Sequence, residues 1–201
     1  MKRILGLSVL AMLSLSLNPA TSFADSQQSV SNVQELHNVE SMIQSSEFKS
    51  ALKKMDSMPA TAGHPVIVRL SGGGELVKEV TVNRSSNTAF KAYSSNQYAS
   101  DTATVYYDEY DVTWCELQMT CQWVYNLNGG NNAYVVSAPA LSTTGFAFYP
   151  FFKGSATTSE TKIDPAVWVC DADQPITSAV GVVSFDQTIN AHCYGDGSFS
   201  Y

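Results

Sequence analysis

From Pro65 onward, several short runs place apolar residues at every second position, the spacing of a β-strand with one buried face. The run Val66–Ser71 is separated from a second run at Leu76–Val82 by Gly72–Gly74, which predicts a hairpin. The other strand candidates are Thr104–Cys115, Cys121–Leu127, Ala133–Ser137, Thr144–Phe152, Ala166–Cys170, Ser178–Phe185 and Gln187–Cys193. We therefore expect residues 64–201 to form a mainly β domain, antiparallel and sandwich-like.

Residues 25–60 follow a different pattern, with no glycine and Phe48 as the single Phe, Tyr or Trp. Their apolar residues recur at the three- and four-residue spacing of a helix face, first Val33, Leu36, Val39 and Ile43 and then Phe48, Ala51, Leu52 and Met55. Pro59 and Gly63 end the pattern. We expect a helical N-terminal arm that docks weakly on the β domain and can be removed without unfolding it.

The first 24 residues have the three parts of a secretory signal peptide. Lys2 and Arg3 are followed by the apolar run Ile4–Leu17, and Ser22–Ala24 supplies small residues for cleavage. The apolar run is too short for a stable membrane span. We expect an exported bacterial protein, periplasmic or extracellular, whose mature chain begins at Asp25.

Four cysteines lie in the mature chain, at positions 115, 121, 170 and 193. Disulfides persist outside the cytoplasm, and an even count predicts two of them. We expect the sequential pairs Cys115–Cys121 and Cys170–Cys193. A structural zinc site is the rival interpretation, but the spacings match no common zinc pattern, so no metal is assigned.

The charge of the mature chain is strongly acidic. Without Lys2 and Arg3 it carries nine basic and 18 acidic residues, and from residue 92 onward eleven acids face only Lys153 and Lys162. Such a surface repels phosphate backbones, so nucleic acid is excluded as a partner. Basic protein surfaces remain compatible partners.

Aromatic residues are concentrated between residues 93 and 152, next to several acids. Tyrosine and tryptophan combine an apolar face with a polar tip, which suits protein or sugar ligands. We expect the contact face to lie on the predicted hairpin Tyr106–Tyr125, with the ligand-binding residues Tyr107, Asp108, Tyr110, Asp111, Trp123 and Tyr125. The first hypothesis is therefore an exported, non-catalytic binding protein for another protein or a glycan, without a cofactor.

Two other function classes remain open. No catalytic motif is present, and no residue is assigned a catalytic role, but a secreted hydrolase needs only two carboxyl groups across a cleft. The candidates are Asp108, Glu109, Asp111 and Glu116. The C-terminal Ser198–Tyr201 also resembles the closing strand of bacterial outer-membrane barrels, which implies a small barrel as a second alternative.

Overall fold

A computed structural model describes residues 30–82, 96–127, 133–178 and 184–201. The expected signal peptide (1–24) and the Asn/Gly turn at 128–132 lie outside these residues. The expected fold class is confirmed, because the described chain forms two antiparallel sheets preceded by two short helices.

The helices are α1 (Val30–Gln44) and α2 (Ser46–Asp56). The strands are β1 (Val66–Arg69), β2 (Glu75–Val82), β3 (Asn96–Glu109), β4 (Val112–Asn126), β5 (Tyr134–Val135), β6 (Ala140–Ala147), β7 (Phe151–Lys153), β8 (Thr157–Asp164), β9 (Val167–Ser178), β10 (Ser184–Tyr194) and β11 (Phe199–Ser200). Neither helix is long and apolar enough to cross a membrane.

Each sheet is built around one long hairpin. The first sheet has the order β1-β2-β3-β4, and both β5 and β6 pair with the far side of β4. The second has the order β11-β10-β9, with β7 and β8 pairing with β9. One buried apolar cluster includes side chains from both sheets, so the sheets share a single core.

The hairpin of the first sheet turns at Tyr110 and Asp111, which both have positive φ angles of 55° and 58°. This corrects the sequence interpretation, which placed the turn between Cys115 and Cys121. Strand β4 runs through both cysteines without interruption. A bulge between Tyr107 and Asp108 shifts the register, so that the odd-numbered residues of both strands point into the core.

Helix α2 is part of this core. Its N-cap Ser45 accepts a hydrogen bond from the Phe48 amide at 3.0 Å, which satisfies one free donor of the first turn. Phe48 is fully buried, and its ring makes edge contacts at 5.3 Å with Tyr107 of the first sheet and Phe185 of the second. This burial against both sheets argues against a weakly docked arm for α2, and the stability of the contact stays a matter for measurement.

The segment after α2 is also tied to the β domain. The backbone of Ala60 exchanges two hydrogen bonds with Tyr201, the last residue of the chain. At the start of α2, the carboxylate of Glu47 accepts bonds from the amide (2.6 Å) and hydroxyl (2.7 Å) of Ser71, in the β1–β2 turn. The helix is thus held at both ends as well as along its face.

Truncation of Phe48 tests this packing. We expect Phe48→Ala to lower the free energy of unfolding by about 3–5 kcal/mol, because it leaves a cavity between three elements. Met58→Ala, at an exposed position after the same helix, should change it by less than about 0.5 kcal/mol. Denaturant unfolding measures both values, and a loss below about 1 kcal/mol for Phe48→Ala would mean that the helix docks only weakly.

Candidate functional site

Two of the predicted ligand-binding residues are buried and lie far apart. Tyr107 and Trp123 are 0% and 1% exposed, and they face Cys115 and Ala99 across the β3–β4 ladder. Ala99, which pairs with Trp123, and Tyr107 are eight positions apart on β3, which corresponds to about 26 Å along a strand. The prediction that both contribute to one exposed contact face is therefore wrong, because the odd-numbered residues of both strands face the core.

Tyr107 has a buried carboxyl group as its partner. Its hydroxyl donates a short hydrogen bond to Oε2 of Glu109, which is 3% exposed. Burial raises the pKa of Glu109, and the hydrogen bond from Tyr107 partly offsets this effect. Burial, followed by this hydrogen bond and the nearby carboxyl group, raises the pKa of Tyr107, so the phenol remains a donor.

Trp123 links the two sheets. Its ring stacks on Phe199 of β11 at 5.8 Å, and its indole nitrogen donates to the carbonyl of Tyr194 at 3.1 Å. Tyr125, two positions further along β4, is half-buried, and its hydroxyl donates to Oε1 of Gln97 at 2.9 Å. Both side chains support the sheet rather than an exposed contact face.

The remaining predicted residues lie at or near the β3–β4 turn. Tyr110 is 43% exposed, Asp111 is exposed and Asp108 is half-buried. The amide of Asn38 in α1 donates to the Tyr110 hydroxyl at 3.4 Å. A tyrosine with positive φ costs about 1–2 kcal/mol relative to its preferred conformations, so this turn is held by its surroundings.

A second group of aromatic side chains is exposed where β6 ends and β7 begins. We call residues Phe146–Phe152 the aromatic segment. Phe148, Tyr149 and Phe152 are 55%, 66% and 53% exposed, and the rings of Phe146 and Phe148 lie 5.1 Å apart. The sequence pattern predicts a single strand over Thr144–Phe152, whereas the structure has a turn at Tyr149 and Pro150 between β6 and β7.

Trp114 connects the β3–β4 turn to the aromatic segment. Its indole nitrogen donates to the carbonyl of Glu109 at 3.1 Å, just before the turn. Its carbonyl accepts from the amide of Phe148 at 2.8 Å, and its ring meets the buried ring of Phe151 at 6.3 Å. The exposed aromatic side chains therefore extend from a buried base that is bonded to β4.

Acidic residues lie beside the aromatic segment on the outer face of the first sheet. Glu116 is opposite Tyr106 on β3 and Phe146 on β6. Burial raises the pKa of Glu116, its hydrogen bond from Gln118 at 2.8 Å opposes this, and the negative charges of Glu79 and Asp108 raise it further. We call Glu79, Asp108 and Glu116, with Tyr106 between them, the acidic face.

The four hydrolase candidates do not share one position. Asp108 and Glu116 belong to the acidic face, Glu109 points into the core and Asp111 lies at the turn. A cleft of about 380 Å³ near β6 has Thr143, Thr144, Lys153 and Gln174 in its lining, and no acid. The carboxyl pair on the acidic face is thus on an open sheet surface and not in this cleft.

A larger cleft of about 520 Å³ was not foreseen from the sequence. It lies where α2 ends against β2, β10 and β11, and its polar lining includes Asp56, Lys78, Asn190, His192 and Tyr194. Lys78 is 4% exposed, and its ammonium nitrogen lies 4.2 Å from the ring centre of Tyr201. Burial lowers the pKa of Lys78 and raises that of Asp56, and each charge opposes the other's shift. The alternation of β2 could have indicated that Lys78 points inward.

The structure separates the cysteines of one expected pair and brings those of the other together. Cys115 and Cys121 are six positions apart on β4, about 20 Å along the strand, whereas disulfides need Cα atoms within about 7 Å. That pairing is therefore wrong. Cys170 and Cys193 are neighbours on β9 and β10, with sulfur atoms 3.7 Å apart and no bond between them. Cys121 joins them, and all four thiols are buried.

The buried carboxyl group of Glu109 predicts how the stability of the fold depends on pH. Because its pKa is raised in the folded chain, the folded state binds the proton more tightly, and stability is lost as the pH rises above the ordinary glutamate value. Wild type should therefore lose stability between about pH 4 and about pH 8, and Glu109→Gln, which has no carboxyl group to ionise, should not. We expect the free energy of unfolding of Glu109→Gln minus that of wild type to be larger at about pH 8 than at about pH 4. Denaturant unfolding at both pH values tests this, and an unchanged difference between the two proteins would contradict it.

Comparison of the chain with family models, curated proteins and solved structures finds no match in any of the three.

Proposed function

We propose that this chain is an exported, non-catalytic binding protein that contacts another protein through the aromatic segment and the adjoining acidic face. The observation that carries the proposal is the exposure of Phe148, Tyr149 and Phe152 within five residues. Large aromatic side chains that remain in solvent together are typical of interaction sites, where they provide much of the binding energy.

The supporting structure is suited to binding because little has to become ordered. Phe151 and Trp114 anchor the aromatic segment from below, and the Phe148 amide is bonded to β4. A rigid contact surface loses less conformational entropy on association than a flexible one. Tyr110, at 43% exposure, and Val112, at 39%, extend the apolar surface toward the β3–β4 turn.

The charge next to these rings favours a basic partner. Glu116 lies directly opposite Phe146, and Asp108 is on the same face. A partner that presents lysine or arginine with apolar side chains would place its cations against carboxylates and ring faces. A glycan, the other ligand class open from the sequence, also stacks on aromatic rings but gains less from the carboxylates.

Export supports this function but rests on the N-terminal sequence alone. The basic start, the apolar run and the small residues before Asp25 are its basis. The secreted hydrolase remains the alternative, and its support is that Asp108 lies close enough to Glu116 for its negative charge to contribute to the raised pKa of Glu116, after the larger effect of burial. Loss of any hydrolytic activity in Glu116→Gln would favour that alternative.

Photo-crosslinking in the export compartment tests the binding surface. We expect a photoreactive phenylalanine analogue at position 148 or 152 to capture one protein partner with a basic surface. The same analogue at Ile163 is the matched control, because that side chain is 62% exposed but lies on β8 in the second sheet. Capture of equal strength at Ile163 would contradict the proposal.

Affinity measurements with the purified partner then show how much each of these side chains contributes to binding. We expect Phe148→Ala and Phe152→Ala each to weaken binding at least about tenfold, and Ile163→Ala to change it less than about twofold. Glu116→Gln should weaken binding and reduce its dependence on salt. If the chain instead binds insoluble polysaccharide, and the same substitutions abolish that binding, the surface would be assigned to a glycan.

A further inference from the structure

Three buried thiols from both sheets meet at one point in the core. Cys121 lies on β4 of the first sheet, and Cys170 and Cys193 lie on β9 and β10 of the second. Their three sulfur atoms are all within 4.8 Å of one another, and each residue is 0% exposed.

The number of thiols does not fit disulfide pairing. A disulfide uses two of the three sulfur atoms and leaves the third beside it. Cys115 cannot accept that third sulfur, because it is about 20 Å from Cys121 along β4. A single metal ion, in contrast, uses all three thiolates together.

The spacing of the sulfur atoms also fits one ion. With metal–sulfur bonds of about 2.3 Å, two thiolate ligands of a tetrahedral zinc ion lie about 3.8 Å apart. The sulfur atoms of Cys170 and Cys193 are 3.7 Å apart. Only Cys121 then needs a small adjustment to complete three ligands.

The surroundings of the cluster favour a dication. Asp101, fully buried, lies directly opposite Cys121 on β3. Thiolates and a carboxylate in one buried region are stabilised by a positive charge among them. A doubly charged ion offsets more of this negative charge than Cu(I) does.

We propose that Cys121, Cys170 and Cys193 form a buried structural site for one zinc-class metal ion that joins the two sheets. The ion is bound as the chain folds, because the completed core has no exposed route to the sulfur atoms. Binding replaces the thiol protons, so it releases protons and stabilises the folded state. Asp101 is the residue placed nearest in register to act as a fourth ligand.

Cadmium is the probe for this site, because its bonds to thiolates absorb in the ultraviolet. The mature chain, residues 25–201, is reduced, refolded with Cd²⁺ and freed of unbound ion by gel filtration. We expect about one cadmium per chain, a thiolate-to-cadmium absorption band, a higher melting temperature and displacement by Zn²⁺. A refolded chain that retains no cadmium overturns the proposal, whether its thiols are free or paired.

The fourth cysteine provides a matched control. Cys115→Ser removes an equally buried thiol from the same strand as Cys121 and should leave cadmium binding unchanged. Cys121→Ser, Cys170→Ser and Cys193→Ser should each weaken it at least about tenfold. Equal loss in Cys115→Ser would overturn the assignment. Circular dichroism checks the fold of each variant, and the wild-type stoichiometry decides the question if a variant does not fold.

Discussion

The position of Phe48 between Tyr107 and Phe185 is the interaction on which the rest of the structure depends. This one ring from a short helix contacts both sheets, so the helix and the two sheets belong to the same apolar core. A helix as short as α2 is marginal in water by itself, and its burial here is what makes it stable. Tyr107, which this contact covers, donates its hydroxyl proton in a hydrogen bond to Glu109 at the end of β3, directly before the turn into β4.

The alternation of side chains determines which aromatic residues are structural and which are exposed. Odd positions of β3 and β4 enter the core, so Tyr107 and Trp123 are buried, whereas Tyr106 lies on the outer face. Phe148 and Tyr149 lie where regular alternation stops between β6 and β7, and Phe152 lies on the short strand β7 that follows. Whether an aromatic residue belongs to the core or to the proposed contact surface therefore depends on its position in the strand register and not on its residue type.

The fold class, the helical nature of residues before 60 and the hairpin at Gly72–Gly74 could all be predicted from local patterns. The turn at Tyr110–Asp111 could not, because it lacks the Asn and Gly residues that usually mark such turns. This one misplaced turn led to the wrong contact face and the wrong Cys115–Cys121 pair. The approach of Cys121 to Cys170 and Cys193 is a consequence of sheet packing, which sequence spacing does not contain. Burial of Lys78 in a cleft depends on the same packing.

The central claim is that α2 and the two sheets form one cooperative core. Native-state hydrogen exchange tests it most directly, because it measures the opening free energy of each backbone amide. The account predicts that the amides of Ala51, Leu52 and Met55 open with the same free energy as those in the middle of β3 and β4, within about 1 kcal/mol. Exchange of these helix amides through a separate opening several kcal/mol lower in free energy would contradict the account.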